Sequence, residues 1–188
     1  MRIAVLGAGA VGARIARQLL SGTSVTQIVL RDTDADRLAQ VSGSLGDRVI
    51  IEHAPFNSKV DAEVIVVATP SGTQMPAVVE AMEQRRPVIS TSDSLAEMVE
   101  LLKLSEQAHK NNTPVVLGAG FAPGLTCVLA SHGAAWFDKV QEIHIAKVGT
   151  GGPSCALVHH RALSRISYDW RHDNWVRRPG GSGRSLCW

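Results

Sequence analysis

The chain has 188 residues, 45% of them hydrophobic and 19% charged, and its 19 Lys and Arg against 17 Asp and Glu leave a formal charge of +2. That balance provides no long-range field to hold a polyanion or an acidic membrane, and the composition excludes a disordered or fibrous chain. Cys127, Cys155 and Cys187 are odd in number and lack CxxC spacing, which argues against a disulfide framework or zinc knuckle and points to a reducing, cytoplasmic setting. The opening MRIAVLGAGA breaks at Gly7, too early for a secretion signal or a membrane span.

Residues 3–6 form a short apolar run ending in glycine, after which Val11, Ile15 and Leu19 recur every four residues on one helical face. This predicts strand, turn, helix. Residues 28–30 and 49–51 read as further strands, separated by a helix that Asp34 can cap and that runs to about Ser42. Residues 64–68 (VIVVA) are apolar without alternation, as expected of a central parallel strand covered on both faces. A turn at residues 69–72, a helix over 75–84 and a short strand at 88–89 follow. Asp93 or Ser94 then opens the longest predicted helix, ending near Asn111 and Asn112, with Ser94 and Glu97 at capping-box spacing and Leu95, Met98, Val99 and Leu102 as its buried stripe. Residues 115–117 make a sixth strand, followed by GAGFAPG at 118–124 and a helix to about Trp136. Strands alternating with helices predict an α/β fold, a doubly wound parallel sheet with right-handed crossovers.

The first crossover carries the chemistry. Gly7, Gly9 and Gly12 have the spacing GxGxxG directly after a strand and at the opening of a helix, the context that a dinucleotide pyrophosphate requires. Gly7 permits the tight turn, Gly9 keeps a side chain out of the phosphate's path, and Gly12 lets helix and strand approach. The amides around Ala10 and Val11 then face the phosphate charge. A Rossmann sheet that binds NAD or NADP is therefore expected. Asp32, 20 residues beyond Gly12 at a strand tip, can accept hydrogen bonds from the adenosine ribose and favours NAD, whereas the adjacent Arg31 could pair with the 2′-phosphate of NADP. Ala68, Thr69 and Pro70 follow the fourth strand and Ser90 follows the fifth, at the carboxyl edge where ligands collect; Thr69 and Ser90 are candidate contacts to the nicotinamide ribose. Gly120 and Phe121 lie in the second glycine cluster, where Pro123 opens a helix and suggests a rigid loop against the nicotinamide.

VVLGAGFAPGLT, together with GAGAVG and the later VGTGGPSCALVHHRALS, resembles the saccharopine dehydrogenase-like reductases. The resemblance covers essentially the whole chain and is strongest over residues 3–34 and 115–152. It implies a nicotinamide-dependent oxidoreductase acting on an amino-acid-derived C–N or C–O centre. On this reading Gly7, Gly9 and Gly12 take the fingerprint positions, Asp32 the ribose acid, and Gly120, Phe121, Pro123 and Gly124 the loop after the sixth strand.

Residues 1–138 are expected to form the dinucleotide-binding domain and 139–188 the start of an α+β substrate or dimerisation domain. Residues 140–148 alternate in strand fashion, but only 40 residues follow Val148, against the roughly 50 of a small domain. That second domain is expected to be incomplete or completed by another chain. His159 and His160 are candidate proton donors, yet neighbours point to different faces, so at most one serves a site and no shared metal is expected. A packing or surface role is preferred for both, and the catalytic residue is unassigned. Residues 159–188 hold six of the 19 basic residues, two of the 17 acidic ones and three of the four tryptophans. Aromatics interleaved with arginines could stack on single-stranded nucleic acid, but without a recognisable RNA-binding motif they read better as part of a substrate-domain sheet. Cys127 is expected to pack inside the helix after Pro123. The expected partner is a small amino-acid-like substrate rather than nucleic acid or membrane, with a homo-oligomer as the assembly. A non-catalytic nucleotide-binding module and a remnant of a longer reading frame stay open as alternatives.

Overall fold

A computed structural model describes residues 1–145, 151–171 and 174–180, in two compact units, Met1–Lys147 and Val148–Trp188. In the first unit β1 (Arg2–Leu6), α1 (Ala10–Ser21), β2 (Gln27–Asp32), α2 (Ala35–Ser42), β3 (Val49–His53) and β4 (Val64–Val67) succeed one another. They are followed by α3 (Met75–Glu83), β5 (Val88–Ser90), α4 (Leu95–Leu102), α5 (Ser105–Lys110), β6 (Val115–Val116) and α6 (Leu125–Ala134). The six strands are parallel in the order β3-β2-β1-β4-β5-β6, the predicted doubly wound Rossmann arrangement. The order reverses between β1 and β4, which leaves a crevice at their carboxyl ends.

Two apolar layers hold the sheet, and the two-residue period of the strands decides which side chain joins which. Ala4, Leu6, Val29, Ile65 and Val67 turn to the face covered by Ala77, Val78, Ala81 and Met82 of α3 and by Leu101 of α4. Ile3, Val5, Ile28, Leu30 and Val66 turn to the opposite face, under Ala16 of α1 and Leu38 of α2. β1, β2 and β4 lack polar alternation because both of their faces are covered. Ile65 is 1% exposed in the middle of this packing. Ile65→Ala should lower unfolding free energy by about 3 kcal/mol, read as a drop in the urea midpoint with the slope unchanged.

Four expectations are corrected. The long helix predicted up to Asn111 is broken into α4 and α5, because Lys103 and Leu104 donate to carbonyls only three residues back, a tight turn that brings Leu104 onto the core. The stripe Leu95, Val99 and Leu102 is exposed rather than buried, since α4 is rotated to turn Glu97 and Leu101 inward. Residues 140–145 form no strand, and Val148, with Gly149 and Thr150, lies outside the described residues. Cys127 is likewise exposed rather than packed, whereas Cys155 is half-buried.

The second unit contains α7 (Pro153–Ala162) and an antiparallel hairpin of β7 (Ser167–Arg171) and β8 (Asn174–Arg178). His159 and His160 sit side by side on α7, both exposed, and His159 Nδ1 lies 2.7 Å from the Cys155 carbonyl oxygen. Arg184, Cys187 and Trp188 lie outside the described residues. No helix among the described residues is long and apolar enough to cross a membrane, and no group of three or more His, Cys, Asp or Glu among them could hold a metal ion.

Candidate functional site

The carboxyl edge of β1 and β4 is shaped by three glycines with three different obligations. Gly7 has φ +107°, and a Cβ there would stand 2.7 Å from the Ala68 carbonyl oxygen, so the turn admits no other residue without strain. A Cβ on Gly12 would overlap the Gly7 carbonyl oxygen. Gly9, the residue before α1, is the opposite case: its φ and ψ of −70° and −174° suit any residue, and an added Cβ would meet nothing within 4 Å. Glycine there keeps a space open instead of relieving a clash. No side chain caps α1 and no acidic residue lies in its first turn, so its opening amides and positive dipole end face that space. Ala10 and Val11, both exposed, begin the helix at this point.

The neighbouring helix starts are filled. Asp34 accepts from the Arg37 amide at 3.0 Å at the start of α2, and Ser94 accepts from the Glu97 amide at 3.4 Å at the start of α4. The Glu97 carboxylate does not complete the predicted reciprocal cap. It crosses to α3, where it accepts from the amides of Gly72 (2.9 Å), Gln74 and Met75 (3.0 Å) and from the Ser92 hydroxyl (2.6 Å). Beneath this knot the Gln74 side chain, 1% exposed, donates to the Thr69 carbonyl at 2.8 Å and accepts from the Ser90 hydroxyl at 2.7 Å.

The predicted site residues consequently divide. Gly7, Gly9, Ala10, Val11, Gly12, Ala68 and Thr69 come together at the β1/β4 edge, with Pro70 exposed on the following turn. Thr69 is 5% exposed and its hydroxyl is buried with no hydrogen-bond partner, an unusual state for a buried polar group. Ser90 is corrected. It is fully buried and its hydroxyl donates to Gln74, so it braces the edge from beneath and offers no donor to a ligand. The 118–124 loop docks on the tip of β5 through the Ala119 amide, which donates to the Ser90 carbonyl at 2.9 Å, and Gly120 lies against Thr91 with Phe121 exposed.

Asp32 and Arg31 part company because successive strand residues face opposite ways. Asp32, 2% exposed, accepts from the Ala8 amide of the glycine turn at 2.7 Å and from the Asp34 amide at 3.0 Å. Arg31, 3% exposed, faces the β3–β4 connection: Nε and one terminal nitrogen hold Glu52, and the remaining donors go to Pro55, Ser58 and Lys59 carbonyls and the Ser58 hydroxyl. All five of its N–H groups are engaged, which overturns the expectation that Arg31 reaches a 2′-phosphate. The cation at this strand tip is Arg37 of α2, 3.5 Å from Asp32 and 3.3 Å from Asp34. Sequence reasoning missed Arg37, Gln74 and Glu97. A signal existed only for Arg37, which lies five residues beyond Asp32 on the predicted helix.

The geometry agrees with the comparisons to known proteins. Residues 2–94 match the family described as NADP oxidoreductase, coenzyme F420-dependent. The chain is 25% identical over 118 residues to an inositol 2-dehydrogenase of Mycolicibacterium gilvum, a match covering 62% of this chain and 34% of the relative. It is 29% identical over 107 residues to inositol 2-dehydrogenase 1 of Saccharopolyspora erythraea, covering 55% of this chain and 32% of that one. Among solved structures it is similar in fold to GenD2 from gentamicin A biosynthesis in complex with NAD, with a TM-score of 0.55 at 23% identity over 72% of this chain and 39% of that one. The chain thus spans about a third of the length of the curated relatives it matches. The first unit is a Rossmann domain of the NAD(P)-binding kind, with residues 2–94 matching that family. The curated relatives are inositol dehydrogenases, so the expected Rossmann domain is met by them while the saccharopine dehydrogenase-like type is not.

Proposed function

We propose that the chain is the cofactor-holding part of an NAD(P)-dependent oxidoreductase that transfers a hydride at a C–O or C–N centre of a small molecule. The observation that carries this reading is the open space at Gly9, beside an uncapped helix start and between two glycines that sterically admit nothing else. A turn that served packing alone would have no reason to leave that position bare. When bound, the nicotinamide supplies the hydride donor or acceptor; the chain's own residues bind and orient it. The amides of Gly9, Ala10, Val11 and Gly12 would hold the pyrophosphate, Asp32 the adenosine ribose, and Ala68, Thr69, Pro70, Gly120 and Phe121 the nicotinamide end. The unpartnered Thr69 hydroxyl is the group on this edge most in need of a ligand atom.

The 118–124 loop and the VGTGGPSCALVHHRALS stretch favour a saccharopine dehydrogenase-like enzyme with an amino-acid-derived substrate. The inositol 2-dehydrogenase relatives favour a cyclic polyol as the second reading. Fluorescence titration with NADH and NADPH tests the shared part: saturable binding of at least one is expected, and binding of neither removes the proposal. Turnover on a panel containing lysine, saccharopine and inositol then separates the substrates, and binding without turnover leaves a non-catalytic module. Thr69→Val should weaken NADH binding by about tenfold, the value of one hydrogen bond, while thermal unfolding of the ligand-free protein is unchanged or slightly raised.

A further inference from the structure

The β2 tip holds an arrangement that neither the glycine fingerprint nor the relatives assign. In this fold the adenosine ribose lies at that tip, and a carboxylate there normally selects against a 2′-phosphate. Here the carboxylate is already shared: Asp32 is 2% exposed, each of its oxygens accepts a backbone amide, and Arg37 lies 3.5 Å from it. Arg37 itself has a side chain 48% exposed and is shared between Asp32 and Asp34 at 3.3 to 3.5 Å, long contacts for a guanidinium with five donors. Arg31 is saturated by Glu52 and loop carbonyls and cannot substitute for it. Thr33, exposed, follows Asp32 at the same tip, with its carbonyl oxygen 3.0 Å from His53 Nε2.

We propose that Arg37 is the residue that sets cofactor choice, and that it makes the site accept both NADP(H) and NAD(H). With NAD(H), ribose hydroxyls hydrogen-bond at Asp32 while Arg37 keeps neutralising the Asp32 and Asp34 carboxylates. With NADP(H), the guanidinium turns outward by rotation of its long side chain and pairs with the 2′-phosphate, a charge-assisted contact that replaces two weak ones. Removing Arg37 leaves a phosphate facing Asp32 and Asp34 without the guanidinium that neutralises them. The loss therefore falls on one nucleotide and spares the other.

This rests on the nucleotide-binding reading above, so the test compares the two nucleotides on one protein. Dissociation constants of NADH and NADPH are measured by fluorescence on the full chain, the Arg37→Ala and Arg37→Lys variants, at low and high salt. The expected result is measurable binding of both nucleotides by the parent. Arg37→Ala should weaken NADPH at least tenfold with NADH within about threefold, Arg37→Lys should fall between, and salt should weaken NADPH binding more than NADH binding. Binding of NADH alone by the parent, or an NADPH to NADH ratio unmoved by Arg37→Ala, overturns the assignment while leaving the functional reading intact. Binding of neither nucleotide by a parent whose far-ultraviolet circular dichroism is that of an α/β protein overturns both. The Arg37→Ala spectrum and melting curve show whether the variant is folded, and an unfolded Arg37→Ala passes the same comparison to Arg37→Lys, where an unmoved ratio across the salt series counts against the proposal.

Discussion

Gly9→Ala should abolish tight nucleotide binding in a protein that is still folded, and Gly12→Ala should unfold it. At Gly9 the backbone lies in a region open to alanine, and an added Cβ meets no atom within 4 Å, so the fold loses only the small preference for glycine over alanine before a helix, under about 1 kcal/mol. The same methyl group projects into the space that a pyrophosphate would occupy, and loss of close approach to even one phosphate oxygen costs about 1.4 kcal/mol or more, a tenfold weaker dissociation constant. At Gly12 the added atom overlaps the Gly7 carbonyl oxygen, and α1 must move off β1 to relieve it. Overlap with main chain, which no side-chain rotation relieves, exceeds the roughly 3 kcal/mol of an ordinary overpacked core and falls on the apolar layer that holds Ala16 and Val5. Melting curves with and without NADH separate the two: Gly9→Ala keeps its transition and loses the ligand-induced rise, whereas Gly12→Ala loses the transition itself. If Gly9→Ala binds NADH as the parent does, the glycine turn serves no nucleotide.

Glu97→Ala should be the most damaging change on α4, and by more than its place in an otherwise exposed sequence stretch implies. Its carboxylate is the common acceptor for three main-chain amides at the start of α3 and for the Ser92 hydroxyl. Deleting it strands those donors where water has little access, and a set of unsatisfied buried groups costs on the order of 3 kcal/mol. Glu97→Gln retains one acceptor oxygen but turns its amide N–H₂ toward a side that includes a main-chain amide, which only donates, so it should recover part of the loss. Chemical denaturation of both variants ranks them. A midpoint for Glu97→Ala equal to that of Leu102→Ala, a substitution at an exposed position, would contradict the role given to the knot.

The sheet was readable from the sequence wherever both faces of a strand are covered, because β1, β2 and β4 are then plain apolar runs. The glycine turn was readable because backbone sterics leave only one residue type at Gly7 and Gly12. Long-range polar bonds were not readable. Ser94 and Glu97 have capping-box spacing, and half the box forms, but nothing local reveals that the Glu97 carboxylate is claimed by amides more than twenty residues earlier. That claim rotates α4 and puts Leu95, Val99 and Leu102 outside. The buried position of Ser90 has the same origin, since its partner Gln74 is remote in sequence. Arg31 was the one avoidable error: as the neighbour of Asp32 in a strand it had to face the other side of the sheet.

Thr69, Ser71, Gln74, Ser90, Ser92 and Glu97 tie the ends of β4 and β5 to the start of α3 through the chain's own hydrogen bonds. A recognition loop usually loses conformational freedom when its ligand arrives, and the affinity is reduced by that loss. Along this part of the edge the loss has already occurred during folding. Capture of a nucleotide should then resemble a key entering a cut lock, with calorimetry registering desolvation and contact formation and little signature of segmental ordering.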